Sequence, residues 1–409
     1  MTPDSEDRLL DAVTQLCASD GYVNLTVDRI LAAARVSRAT FYQYFSNVDD
    51  CFLSAYREHA AQFVSDVTAA SQGSRNRELA VVAAVVDIAT SRPDVAQLLM
   101  REGLAAGPAG LVERDALLEG IERAMTGYAT QAPTIYLPPA ILIGGTFRFL
   151  SMRFTDRDAL DRLGDEVREW VGALGGPPTQ PSWSARLASG SPSHASRAPA
   201  QPPTRPQGIP RERILQATAA VIRGRSYRDV SVADIAREAG VSRRGFYNEF
   251  ASKADAFVAS YEDGFQQTMA ACTPAFFNAR EWPERVWHCA EAFTRFLSRE
   301  PLIAYLGFVE CYAVGPAFAP RVHDTQLAFT LFLEEGYRQS PRAQSLPSAV
   351  PELVAATIVE IGFLASRDAP LHLHSVQPLA VYITLAPFIG ADAAQGFVAG
   401  KLKRGATLG

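Results

Sequence analysis

The sequence lacks the features that would announce an enzyme, a secreted protein or a membrane protein. It has no GxSxG elbow, Walker loop, HExxH pair or paired-carboxylate arrangement, so no visible chemistry supports catalysis. Five cysteines (Cys17, Cys51, Cys272, Cys289, Cys311) stand apart without CxxC spacing, an odd scattered set that makes no disulfide framework and fits a reducing cytoplasm. The opening Met1-Thr-Pro-Asp-Ser-Glu-Asp is acidic where a secretory leader is basic and then apolar. No apolar run reaches the roughly 20 residues that a membrane-spanning helix needs. The most apolar stretch, Leu79 to Ala89, is short and contains Asp87. His372 and His374 have no further ligands at metal spacing, and Cys311 has no redox partner, so no cofactor is expected.

What is present is length and periodicity. A single core stops growing at about 250 to 300 residues, so a chain of 409 residues holds more than one domain. Hydrophobic content of 48% with 20% charged residues is globular and excludes bulk disorder. Apolar residues recur at helical spacing, as at Leu9, Leu10, Val13 and Leu16 or Phe293, Phe296 and Leu297, and strand-like alternation is scarce. The fold class expected is all-α. Pro93, Pro108, Pro138 and Pro139, with Pro301, Pro316, Pro320 and Pro351, mark helix starts and breaks.

The chain also repeats itself. Between Gly175 and Pro210 it is rich in Gly, Pro and Ser, too poor in apolar residues to bury anything, and reads as a linker. Sliding the sequence by 205 positions aligns Arg8 with Arg213, Tyr22 with Tyr227 and Ile30 with Ile235 without gaps. It also aligns Val36-Ser37-Arg38 with Val241-Ser242-Arg243, Phe41-Tyr42 with Phe246-Tyr247, and Tyr56 with Tyr261. With a small shift, Ala106-Gly107-Pro108-Ala109 faces Val314-Gly315-Pro316-Ala317. A whole unit is therefore duplicated.

Thr26 is placed to cap a helix through Ile30 and Ala34, Ala34-Arg35-Val36 to turn, and Ser37 to cap a second helix, Arg38 to Phe45. Phe41 and Phe45 share the inner face of that helix, which leaves Arg38, Thr40, Tyr42, Gln43 and Tyr44 outward. Ser231, Ala239-Gly240-Val241, Ser242 and Arg243 to Phe250, followed by Ala251-Ser252-Lys253, repeat the arrangement. A short helix studded with outward polar and aromatic groups suits the major groove.

These segments resemble the N-terminal domain of the TetR family over about fifty residues in each half. The resemblance implies that Thr26 and Tyr42, with Ser231, Tyr247 and Lys253, touch phosphates of operator DNA. It implies that Arg38, Thr40, Gln43 and Tyr44, with Arg243, Arg244, Asn248 and Glu249, reach base edges. It implies further that a larger helical domain follows each reader, takes up a small molecule and dimerises through its last two helices. The resulting division is 1–56 and 210–261 for the readers, 57–174 and 262–409 for the regulatory domains, and 175–209 for the linker.

Two contrasts separate the copies. Arg35 stands where the second copy has Gly240, at a turn that favours a left-handed backbone, and Val48 stands where it has Lys253. Met1 to Tyr56 carries eight acidic and four basic residues, a balance of −4, whereas Arg211 to Tyr261 carries six acidic and nine basic, a balance of +3. The whole chain is at −5, but only the face that meets phosphate must be basic, so the second reader is expected to dominate DNA binding.

In the second half, Trp287, Phe293, Phe296, Phe308, Tyr312 and Phe329 are candidates for an apolar inducer cavity, and ordinary core is the competing role for each. Glu310, His288 and His323 are its candidate polar groups. The dimerisation candidates are Pro138 to Phe154 with Ala159 to Leu174, and Glu352 to Ser366 with Gln377 to Phe388, where Gly144-Gly145 and Ala355-Ala356 permit close approach. Two pairings fit: the halves of one chain with each other as a pseudo-dimer, or two chains as a homodimer through their second halves.

Overall fold

A computed structural model describes residues 4–74, 76–126, 137–153, 160–174, 208–367 and 373–406, and every regular element among them is helical. The linker read at 175–209 lies outside the described residues except for its last two positions, as do His372 and the side chain of His374.

The first half runs α1 (Ser5–Asp20), α2 (Val27–Ala34), α3 (Arg38–Tyr44), α4 (Val48–Ser71), α5 (Arg77–Ser91), α6 (Pro93–Gln97), α7 (Gly103–Ala105), α8 (Gly107–Thr126), α9 (Pro139–Arg153) and α10 (Leu160–Ala173). The second runs α11 (Pro210–Gly224), α12 (Val232–Ala239), α13 (Arg243–Glu249), α14 (Lys253–Phe277), α15 (Trp282–Arg299), α16 (Pro301–Phe308), α17 (Ala319–Ala328), α18 (Glu334–Gln339), α19 (Val350–Arg367), α20 (Leu373–Ile389) and α21 (Ala391–Ala406). Pro93, Pro139, Pro210 and Pro301 each open a helix, where a missing N–H leaves no bond unmade. None of these helices is long and apolar enough to cross a membrane.

The helix starts follow from local chemistry. Asp4 caps α1 and Asp7 reaches back to its backbone in a capping box, while Ser231 and Asp234 do the same at α12. In each half the long α4 or α14 leaves the reader without a break and enters the larger helical body, so the reader is held by a rigid rod.

The two halves of the one chain pack on each other. Helix α9 lies along α19, with α10 against α19 and α20. Gly144 and Gly145 make this possible: an added Cβ would stand 2.5 Å from Oε1 of Glu360 at the first and 3.0 Å from Cα of Thr357 at the second. Trp170 is fully buried nearby, and the Tyr382 hydroxyl donates to the Leu174 carbonyl at 2.9 Å.

At the centre of the contact Glu360 is wholly buried between two arginines of the other half. Arg114 on α8 donates to Oε1 at 2.8 Å, and Nε of Arg148 on α9 donates to Oε2. Burial alone would push the Glu360 carboxyl up, but the two guanidinium groups outweigh it and hold it below the ordinary carboxylate range. Both guanidinium groups lie over the Phe363 ring, at 5.1 and 4.7 Å, and Arg148 also donates to the Tyr312 hydroxyl at 2.6 Å. Nearer the edge, Arg367 grips Asp115 with two bonds of 2.7 and 2.8 Å.

Removing the charge of Glu360 leaves two buried cations without their counter-ion, a loss on the order of 3 to 5 kcal/mol. Glu360→Gln should therefore lower the urea unfolding midpoint sharply, and a loss of unfolding free energy below about 1 kcal/mol would contradict this account of the contact. The sign with pH follows: because the folded carboxyl is depressed, its contribution is present above about pH 4.5 and is lost as the pH falls through the lower folded value.

Candidate nucleic-acid interface

Each reader is a helix-turn-helix built from local caps. In the first, Thr26 Oγ1 accepts from the Arg29 N–H at 3.3 Å to start α2, and Ser37 Oγ accepts from the Thr40 N–H at 3.0 Å to start α3. In the second, Ser231 and Ser242 accept from the Asp234 and Gly245 N–H groups at 3.2 and 2.9 Å. Phe41 and Phe45, like Phe246 and Phe250, face inward and anchor the reading helix.

The opposite faces are left to solvent. Thr26, Arg38, Tyr42, Gln43 and Tyr44 are exposed and Thr40 is half-buried; Ser231, Arg243, Arg244, Tyr247 and Asn248 are exposed and Glu249 is half-buried. Tyr42 and Tyr247 are each 53% exposed, too much for core aromatics, with their rings set edge-on to Phe41 and Phe246. Lys253 is placed differently. Its ammonium donates to the Tyr227 carbonyl at 2.8 Å and sits 4.2 Å from that ring's centre, and burial lowers its pKa. It ties α14 to its own reader.

The copies keep one turn geometry with different residues. Gly240 and Arg35 both cap the second helix in left-handed backbone, φ 63° and 54°, and Arg35 is the one described non-glycine residue with positive φ. The first reading helix is also occupied by its own acids: Arg38 pairs with Asp28, and the Tyr44 hydroxyl stands 3.5 Å from Asp4.

Each reader is bonded to the body beneath it by a buried carboxylate that the sequence did not single out as a junction. Glu102 accepts from the Tyr22 N–H at 2.7 Å, and Glu310, at the corresponding place, accepts from the Tyr227 N–H at 3.1 Å and the Tyr305 hydroxyl at 3.2 Å. Burial raises the pKa of both carboxyls.

The readers also lean across to the opposite half. A Cβ on Gly21 would come within 2.7 Å of Pro316 and one on Gly315 within 2.7 Å of Val23, while Gly107 faces Ser226. Arg228 of the second reader donates to the Tyr22 hydroxyl at 2.6 Å and pairs with Asp49 at 2.9 Å, both in the first. The repeated Gly-Pro turns are thus the places where the halves touch below the readers.

Residues 9–55 and 214–259 each match the family described as bacterial regulatory proteins, tetR family. The two matched segments together span under a quarter of the chain and carry a tetR-type domain twice. Both of its tetR-type readers coincide with the helix-turn-helix units just described. The fatty acid metabolism regulator protein of Bacillus subtilis (strain 168) is 33% identical over 57 residues, 14% of this chain and 29% of that protein. The chain thus spans under a third of that relative's length. A solved structure of the fatty acid degradation regulator FadR from Bacillus halodurans matches 44% of this chain and 96% of its own, at 18% identity and a TM-score of 0.40.

The aromatic set of the second half divides. Phe293, Phe308 and Phe329 line a cavity of about 60 Å³ with Gln326 at its wall. Trp287 lies instead against Phe397 and Lys401 of α21, Phe296 packs into the surrounding core, and Tyr312 belongs to the contact between the halves. His288 sits between Glu284 and Glu291, His323 lies 3.1 Å from Met152 Sδ, and Glu310 serves the reader junction. The Cys311 thiol is buried and pushed up to about 12, which suits packing and not redox sensing.

Relieving the left-handed residue should steady the first reader. Arg35→Gly is expected to stabilise α2 by about 0.5 to 1 kcal/mol, the relief of the Cβ clash less the entropy that glycine loses on folding. It should appear as slower hydrogen exchange at the amides of α2 and α3, and faster exchange there would count against the argument.

Proposed function

We propose that the protein is a sequence-specific DNA-binding transcriptional regulator, not an enzyme, in which one chain supplies the paired readers that other regulators obtain by dimerising. The observation that carries this reading is the joining of two unlike, exposed reading helices within one chain through the buried Glu360 contact and the Arg228 bridge. The two faces present different chemistry, Arg-Thr-Tyr-Gln-Tyr against Arg-Arg-Tyr-Asn-Glu, so the operator has dissimilar half-sites where a homodimer selects a palindrome.

Within it, Arg243 and Arg244 take guanine edges, Asn248 adenine and Glu249 the amino group of cytosine. Ser231 and Tyr247 meet phosphate, as Thr26 and Tyr42 do in the first reader, and Lys253 steadies the reader from behind. The protein acts as a repressor released by a small apolar inducer, for which the cavity walled by Phe293, Phe308 and Phe329 is the site once its rings swing apart. The Bacillus subtilis relative is named for fatty acid metabolism, and an alkyl-chain inducer suits these rings. Release follows if the inducer fits only the conformer that splays the readers.

A second reading, in which the first reader only scaffolds the second, is favoured by the Arg38–Asp28 pair and by the acidic balance of that domain. One comparison separates the two. Selection of bound sequences from random DNA should yield a site with two unlike halves, and Arg38→Ala should relax one half while Arg243→Ala with Arg244→Ala relaxes the other. Each lost base contact is worth about 1 to 3 kcal/mol. Full affinity in Arg38→Ala with a single selected half-site supports the scaffold, and full affinity in the double variant overturns the assignment of α13.

A further inference from the structure

A second cavity, of about 310 Å³, lies between the halves directly beneath the second reader. It exists because the halves pair: Leu104, Leu111 and Val112 come from the first, and Tyr305, Val309 and Glu310 from the second. Its volume is in the range of small-molecule sites, and it is about five times that of the aromatic cavity, 310 against 60 Å³. Val112, 65% exposed, stands at the mouth.

The polar groups on its wall are nearly all acceptors. The Arg367 guanidinium, its cation, is committed to both oxygens of Asp115 and lies over Phe363. The Tyr305 hydroxyl gives its proton to Glu310. Glu310, Tyr305 and Asp115 turn lone pairs to this wall, which favours an occupant that donates, and a cation also meets the carboxylate charge. An alcohol meets the first demand only, and a carboxylate neither.

We propose that this cavity binds a small amphipathic amine, with its alkyl body against Leu104, Leu111 and Val309 and its ammonium donating to Glu310. Glu310 is also the residue whose other oxygen accepts from the Tyr227 N–H, at the foot of the second reader. An ammonium drawing on that carboxylate competes with the bond that seats the reader, so the amine weakens DNA binding through Glu310. The regulatory half of this inference rests on the DNA-binding reading above; the binding half does not.

The two are therefore measured separately, with octylamine, octanol and octanoate as probes. Calorimetry on the full chain without DNA should show octylamine binding at least tenfold more tightly than octanol, and octanoate not at all. Val112→Trp, on the exposed rim, should abolish octylamine binding. Glu310→Gln, which keeps an acceptor for the Tyr227 N–H, should erase the preference for amine over alcohol. Gly307→Leu, which fills the aromatic cavity where a glycine Cβ meets nothing within 4 Å, should leave octylamine binding intact. Equal or tighter binding of octanoate, unchanged binding in Val112→Trp, or loss in Gly307→Leu overturns the site. In a DNA titration octylamine should lower affinity at least tenfold in the wild type and not in Val112→Trp; an unchanged affinity overturns the coupling. Absence of DNA binding without any probe overturns the functional reading and leaves the calorimetry standing.

Discussion

One buried carboxylate shared by two arginines decides how this molecule is put together. Glu360 of the second half has no water to ionise into, and its charge is tolerable only because Arg114 and Arg148 of the first half meet both of its oxygens. The arrangement specifies more than it stabilises. An apolar contact of similar area would allow α9 and α19 to slide or to pair with a second chain, whereas a buried charge misplaced by one turn is unpaired. The contact joins unlike partners, a carboxylate from one half and two guanidinium groups from the other.

That constraint propagates to the readers. The long α4 and α14 carry them without a break from the helical body, Glu102 and Glu310 bond their first turns to it, and the Gly107-Pro108 and Gly315-Pro316 turns bring each reader against the opposite half. The Arg228 bridge to Tyr22 and Asp49 then joins the readers themselves. Spacing of the readers is thereby a property of the whole paired body, and a ligand that shifts the contact between the halves has a mechanical route to DNA. The cavity under Glu310 lies on that route.

Much of this was legible in the sequence, and the limits are physical. Caps, turns and inward phenylalanines are local, so the two reading helices, the left-handed turn at Arg35 and Gly240, and the proline-led helix starts were read from neighbours a few residues apart. The Gly144-Gly145 pair also predicted its close packing. The triad was invisible because its members stand 246 and 212 residues apart and each alone resembles a surface charge. The bond from Lys253 to the Tyr227 carbonyl was equally hidden, because its partner stands 26 residues earlier. The aromatic run of the second half could not be divided by pattern, because core packing, cavity wall and interface ask for the same side chains. One signal was there to be used: Glu102 and Glu310 hold corresponding places ahead of the repeated Gly-Pro turns, and that recurrence of an acid in an apolar stretch marked the reader junctions.

The most direct test of the central claim, that one chain is a complete paired reader, is the mass of the protein alone and of its complex with the selected DNA by sedimentation equilibrium. The account predicts a species of one chain, 44.3 kDa, free in solution and one chain per duplex. Two chains on each duplex, bound symmetrically through their second halves, would contradict it.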